Sequence, residues 1–191
     1  MYLFFDTETT GLPRNYKAPI EDLDNWPRLV QLAWLLYDNN GEEVLSKDYI
    51  IKPEGFLIPD DSAMIHGITN EKAIVCGKDL IDVLCDFNEA VEETDFLIGH
   101  NIGFDEKIIG AEFLRKGIEA CFVNKARFCT MEASTKFCAI SSKYGYKWPK
   151  LSELHYKLFE SDFEEAHNAR VDIKITAKCF WEMKKRGIIG I

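Results

Sequence analysis

The stretch MYLFFDTETTG, residues 1–11, decides how this chain is read. Four apolar residues, Tyr2 to Phe5, run directly into Asp6, Thr7, Glu8, Thr9, Thr10 and Gly11. Such a run predicts a strand over Tyr2–Glu8, and alternation along a strand puts Asp6 and Glu8 on the same face. A carboxylate is costly to bury unless it is paired or holds a metal. Two readings therefore stand side by side. The pair is either a solvated strand end with a turn at Thr10-Gly11, or one half of a divalent-cation site whose other acids come from elsewhere in the chain.

Working outward, Leu29–Tyr37 predicts a second strand, and Asp38-Asn39-Asn40-Gly41 a tight turn. Val44–Ile51 predicts a third strand, stopped by Pro53. These three strands suit an antiparallel meander. The pattern then changes. Pro59-Asp60-Asp61-Ser62 can start a short helix. Asp79–Val91 carries a helical stripe of Leu80, Val83, Leu84, Phe87 and Val91, and Phe96–Gly99 is a short apolar strand. Helices are predicted over Glu106–Lys116, Thr130–Cys138 and Leu151–Phe159, a strand at Arg127–Cys129, and a last helix from about Asn168. Meander first, then alternating helices and strands, is the signature of an α/β fold with a mixed sheet flanked by helices. The whole, residues 1–191, is expected to form one domain. Two longer loops, 12–28 and 140–150, are placed to border a site.

Composition narrows the function classes. A net charge of −9 argues against a face that wraps a long duplex, yet leaves room for a site gripping a strand end through bound cations. The longest apolar stretch, Leu29–Tyr37, is interrupted by Gln31 and is far short of a membrane span, so no membrane partner is expected. The N-terminus has no basic region like that of a secretion signal, which makes the cytoplasm the expected compartment. None of the six cysteines forms a C-x-x-C pair, so neither a zinc ribbon nor a thioredoxin-type site is indicated; they are expected to be reduced and mostly buried.

Two further segments carry acids at the ends of elements. In Ile98-Gly99-His100-Asn101-Ile102-Gly103-Phe104-Asp105, an apolar strand runs through Gly, His and Asn to an Asp at a helix start. Asp105 is there either a helix cap or a ligand. In His167-Asn168-Ala169-Arg170-Val171-Asp172, Asp172 lies beside Val171 on the apolar stripe of the last helix. It is either a solvated first-turn acid favoured by the helix dipole or a ligand.

Together, D-x-E-x-T-G, N-x-x-F-D and H-x-x-x-x-D, in that order, resemble the DEDD exonuclease superfamily in its histidine-containing (DEDDh) branch, which includes the proofreading epsilon subunit of bacterial DNA polymerase III. Ile65-His66-Gly67-Ile68-Thr69 and Cys129-Thr130-Met131 are similar to further segments of that family. The resemblance implies a ribonuclease H-like fold, with a five-stranded mixed sheet flanked by helices. It implies Asp6, Glu8, Asp105 and Asp172 as metal-binding acids, with Asp105 acting largely through water, and His167 as general base. The implied cofactors are two divalent cations, Mg²⁺ or Mn²⁺, consistent with all-oxygen donors. Of the other histidines, His100 beside Asp105 is the serious rival for the base. His66 matches a family segment, and His155 lies within a helical run.

The implied reaction is 3′→5′ removal of nucleoside 5′-monophosphates from DNA, at single-stranded or mismatched 3′ ends. Thr9 would approach the terminal sugar, Leu12 and Phe104 the terminal bases, and Asn101 and His66 join the expected substrate contacts. Lys143-Tyr144-Gly145-Tyr146-Lys147-Trp148-Pro149-Lys150 interleaves bases with aromatics, a composition that suits a single strand. Lys143, Lys147 and Trp148 are its candidate contacts; the same segment also reads as an exposed loop anchored by Trp148. Arg14 and Lys17 are a second basic candidate. A polymerase subunit is a further implied partner. An RNA-trimming exonuclease of the same superfamily, and a non-catalytic nucleic-acid-binding or polymerase-tethering module, are the competing functions. The chain ends soon after the last helix, at Ile191, so neither a polymerase domain nor a long docking tail is expected.

Overall fold

In the computed structural model, which describes residues 1–163 and 168–191, the chain builds a five-stranded mixed sheet between two layers of helices. The strands are β1 (Tyr2–Thr9), β2 (Leu29–Tyr37), β3 (Glu43–Ile50), β4 (Phe96–Gly99) and β5 (Ala126–Cys129), in the order β3-β2-β1-β4-β5. β1 pairs antiparallel with β2 and β2 with β3, while β4 runs parallel to β1 and β5 parallel to β4. The opening stretch is thus the centre of the sheet, and this is the ribonuclease H-like arrangement expected from the sequence.

Alternation in β1 divides the core. Leu3 and Phe5 pack on one face with Val83, Leu84 and Phe87 of α3 (Leu80–Glu92) and Ile108, Ile109 and Phe113 of α4 (Ile102–Lys116). Tyr2 and Phe4 pack on the other with Ile173, Phe180 and Met183 of α7 (Ala169–Lys185) and Leu154 and Leu158 of α6 (Leu151–Phe159). With both faces covered, β1 and β2 bury nearly every residue, which explains why their apolar runs are almost unbroken. Asp6 and Glu8 continue the α7 face; Thr7 points to the α4 face.

Several boundaries differ from the sequence reading. α4 begins at Ile102, not Glu106, because Asn101 takes the left-handed conformation (φ 74°) as its cap, a geometry Asn tolerates. Asp105 is therefore a first-turn residue and not the cap. Two short helices, α1 (Asp60–His66) and α2 (Asn70–Cys76), follow β3, the second not foreseen. The 140–150 region contains a small hairpin, β6 (Ser141–Ser142) with β7 (Gly145–Tyr146), and α5 (Thr130–Cys138) precedes it. The cysteines are not mostly buried: Cys138 and Cys179 are, while Cys76 and Cys85 are exposed because they fall on the outer faces of α2 and α3. Among the described residues no helix is long and apolar enough to cross a membrane.

Candidate active site

The C-terminal end of β1 is where the acids gather. Asp6 and Glu8 leave the strand on the face covered by α7, and α7 brings Asp172 to them from its first turn. Carboxylate oxygens of Asp6, Glu8 and Asp172 all lie within 4.8 Å of one another. The start of α7 is fixed to the sheet. Asn168 caps it through its side chain, which accepts from the Arg170 N–H at 3.1 Å. The buried Gln31 of β2, paired with Glu8 across the sheet, accepts from the Ala169 N–H at 3.3 Å and donates to Asp48 at 2.7 Å. Gln31 passed in the sequence as a mere interruption of an apolar run; a polar residue inside a strand buried on both faces was the available signal.

Asp105 arrives from the other side of the sheet. It is almost fully buried, and its Oδ1 accepts from the Thr7 N–H at 3.0 Å and the Thr7 hydroxyl at 2.6 Å. It stands outside the three-carboxylate cluster yet close enough to be felt electrostatically. Burial, then the charges of Asp105, Asp172 and Glu8, hold the Asp6 carboxyl well above the ordinary carboxylate range. Burial, then Asp172 and Asp105, push Glu8 up to about 8. Burial raises Asp105 to about 7 against the opposing hydrogen bonds from Thr7. A cluster of oxygen donors whose charges repel in a partly desolvated space fits a hard divalent cation, which would relieve that repulsion.

Two clefts flank the acids. One, of about 270 Å³, is lined by Thr7, Glu8, Thr9, Gly11, Leu12, Ser62, Ile65, His66 and Phe104. It gathers four of the expected substrate residues, Thr9, Leu12, His66 and Phe104. Its rim is shaped by the turn after β1, where the Thr9 hydroxyl donates to the Gly11 carbonyl at 2.6 Å and Gly11 takes φ 142°, a conformation suited to glycine. His66 is buried; its Nδ1 accepts from the Ile68 N–H at 3.2 Å, and burial lowers its pKa while the neighbouring Thr9 backbone opposes that shift. The other cleft, of about 460 Å³, is lined by Asp6, His100, Lys150, Leu151, Ser152, Phe163 and Asp172.

Other expected residues lie apart. Asn101 is exposed and lines neither cleft; its role in the fold is the turn into α4. Lys143 sits over the Tyr144 ring, Trp148 is exposed, and Lys147 is paired with Glu153 at 2.5 Å. His100 is engaged at both ring nitrogens, Nδ1 with the Thr130 hydroxyl at 2.9 Å and Nε2 with the Pro149 carbonyl at 3.0 Å, and burial lowers its pKa to about 4. An imidazole held in this way ties β4 to the segment before α6. His155 is buried against the Ser161 carbonyl. His167 lies outside the described residues.

A ribonuclease H-like sheet with three acids gathered at the end of its central strand defines a class, that of the DEDD 3′→5′ exonucleases. The exonuclease family model RNase_T matches residues 3–180, and the chain belongs to that family. DNA polymerase III of the PolC type from Latilactobacillus sakei subsp. sakei (strain 23K) is 29% identical over 184 residues, which are 96% of this chain and 11% of the polymerase. The fold is shared with Escherichia coli Exonuclease I in complex with a dA16 oligonucleotide, at TM-score 0.76 and 19% identity over 97% of this chain and 41% of that one. It is shared also with Exonuclease X in complex with 5′ overhanging duplex DNA, at TM-score 0.65 and 20% identity over 98% and 93% of the two chains.

Proposed function

We propose that this chain is a divalent-metal-dependent 3′→5′ exonuclease that removes nucleoside 5′-monophosphates from single-stranded or mismatched DNA ends. The observation that carries the reading is the convergence of Asp6, Glu8 and Asp172 at the end of the central strand. Asp6, Glu8 and Asp172 would hold the cations, Mg²⁺ or Mn²⁺, with Asp105 supporting them from the Thr7 side. When bound, two such ions lower the pKa of water and offset charge on the leaving 3′-oxygen. The apolar cleft beside Glu8 is suited to the terminal nucleotide: Leu12 and Phe104 offer surfaces for bases, and Thr9 and His66 lie along the same wall. His167 is the proposed general base on its five-residue spacing to Asp172, a task an imidazole performs near neutral pH. The two engaged nitrogens of His100 leave it poorly suited to that role. Exposed Trp148 and Lys143, with the partly neutralised Lys147, are the proposed outer contacts to the strand.

DNA is favoured over RNA by the polymerase relative and by the oligodeoxynucleotide bound to the Exonuclease I neighbour. A proofreading role beside a polymerase is the further proposal that the same relative supports. The test is turnover of matched DNA and RNA oligonucleotides labelled at the 5′ end, with Mg²⁺, with Mn²⁺ and with EDTA. The expected result is a ladder shortening from the 3′ end of DNA, abolished by EDTA and by Asp6→Asn or His167→Ala. Absence of nucleotide release with either cation, or undiminished release by Asp6→Asn, refutes it.

A further inference from the structure

We infer that Lys150 is the phosphate anchor for the strand upstream of the scissile linkage, an inference that rests on the nuclease reading above. The acids stand between two clefts of unlike character. Glu8 opens to the apolar one with Leu12, His66 and Phe104, which suits a terminal nucleoside. Asp6 and Asp172 open to the larger one on the other side, and among the described residues Lys150 is the only cationic side chain that lines it. With the terminal nucleotide in the first cleft and the reacting phosphate at the carboxylates, the remaining strand must leave through the second.

The electrostatics require a cation there. Metal ions held by the carboxylates are already balanced by those groups and by the scissile phosphate. The next phosphate brings a further negative charge into an acidic cleft of an acidic protein, where only added positive charge makes its entry favourable. The backbone that carries Lys150 is also held in place by its neighbours. The carbonyl of Pro149, the preceding residue, receives the Nε2–H of half-buried His100 at 3.0 Å, and the Lys150 N–H donates to Glu153 at 2.7 Å at the start of α6. The basic, aromatic segment from Lys143 to Lys150 therefore divides. Lys147 is paired directly with Glu153, whereas Lys150, whose charge also reaches Glu153 without a salt bridge to it, lines the second cleft.

A substrate–protein cycle tests this. Wild type, Lys150→Gln and Lys150→Arg are assayed on a single-stranded oligothymidylate. They are assayed again on the same strand with one neutral methylphosphonate immediately 5′ of the scissile linkage. Lys150→Gln is expected to lose about tenfold in kcat/KM on the natural strand, the loss typical of one charge-assisted contact. It is expected to lose less than about twofold on the strand lacking that charge, since the two changes remove the same interaction. Lys150→Arg should retain the natural-strand rate within about threefold, and the salt slope of binding should fall by about 0.7 in Lys150→Gln. Equal losses on both strands, or no loss on either, overturn the assignment while leaving the nuclease reading intact. Failure of the wild type to cleave the natural strand overturns both.

Discussion

Replacing Glu8 by glutamine should make the metal-free protein more stable while destroying its function. Burial and the charges of Asp172 and Asp105 move the Glu8 carboxyl from 4.5 to about 8. A group whose folded pKa lies above its unfolded one contributes stability that is intact below the unfolded value and is lost as pH rises through the folded value. The loss therefore accumulates between about pH 4.5 and pH 8. At about 1.4 kcal/mol per pKa unit the whole displacement corresponds to an upper bound of about 5 kcal/mol. Glu8 keeps part of its surface in water and the charges of Asp172 and Asp105 that act on it are partly screened there, so about 2 kcal/mol is expected at pH 8. For a chain of this size that is about 4–8 °C in melting temperature. The assay is thermal unfolding in EDTA at pH 4 and pH 8, with and without millimolar Mg²⁺. Glu8→Gln should melt above wild type at pH 8 and converge with it at pH 4. Mg²⁺ should raise the wild type more than the variant, because ligand binding to the folded state alone is stabilising. A variant that melts at or below wild type at pH 8 in EDTA refutes the view that the carboxylates are held together against mutual repulsion.

Three other substitutions probe the supports. Thr7→Val removes the 2.6 Å hydroxyl bond to Asp105, one of the contacts that hold its pKa down. Stability should fall by about 1–2 kcal/mol, and the acid limb of the pH–rate profile should move to higher pH; an unmoved limb would detach Asp105 from turnover. Gln31→Leu leaves the Ala169 N–H without its sheet partner, so kcat should fall several-fold with a melting loss of about 3–6 °C. Retention of full activity would mean that the start of α7 is held by Asn168 alone. Glu112 is fully buried, paired with Arg28 at 2.8 Å and Arg115 at 2.9 Å, and accepts from the Leu29 N–H at 3.0 Å. Glu112→Ala should cost about 3 kcal/mol by stranding those partners, read as a drop in the urea midpoint. A change below about 1 kcal/mol would place the ion pairs at the level of surface contacts.

Most of the sheet was legible because burial leaves a local record. β1 and β2 are covered on both faces, and their apolar runs say so. The meander followed from Asp38–Gly41, and α3 and α7 from stripes at helical spacing. The start of α4 was missed because it hangs on a left-handed Asn101, a conformation that no apolar periodicity announces. The 140–150 hairpin was missed because its strands, two residues each, are too short to alternate. At the candidate site, the acids were legible as candidates from their places at element ends, and three of them do come together. The buried partners Gln31 and Glu112 were not, because each looks like an ordinary polar residue until its distant contacts are in place.

By itself the sequence determined that Asp6 and Glu8 share a face, since a strand alternates with period two whatever surrounds it. It also determined, through three motifs spread along the chain, the family that the family model then matched. Tertiary structure alone decided the rest. It showed that α7 completes the carboxylate cluster, while Asp105 is bound to Thr7 from the opposite face of the sheet. It divided the lysines, pairing Lys147 with Glu153 and leaving Lys150 in the cleft. Local periodicity fixes where a side chain points relative to its own strand or helix. Which distant element it meets depends on how the two faces of the sheet are covered, and that is a property of the packed chain.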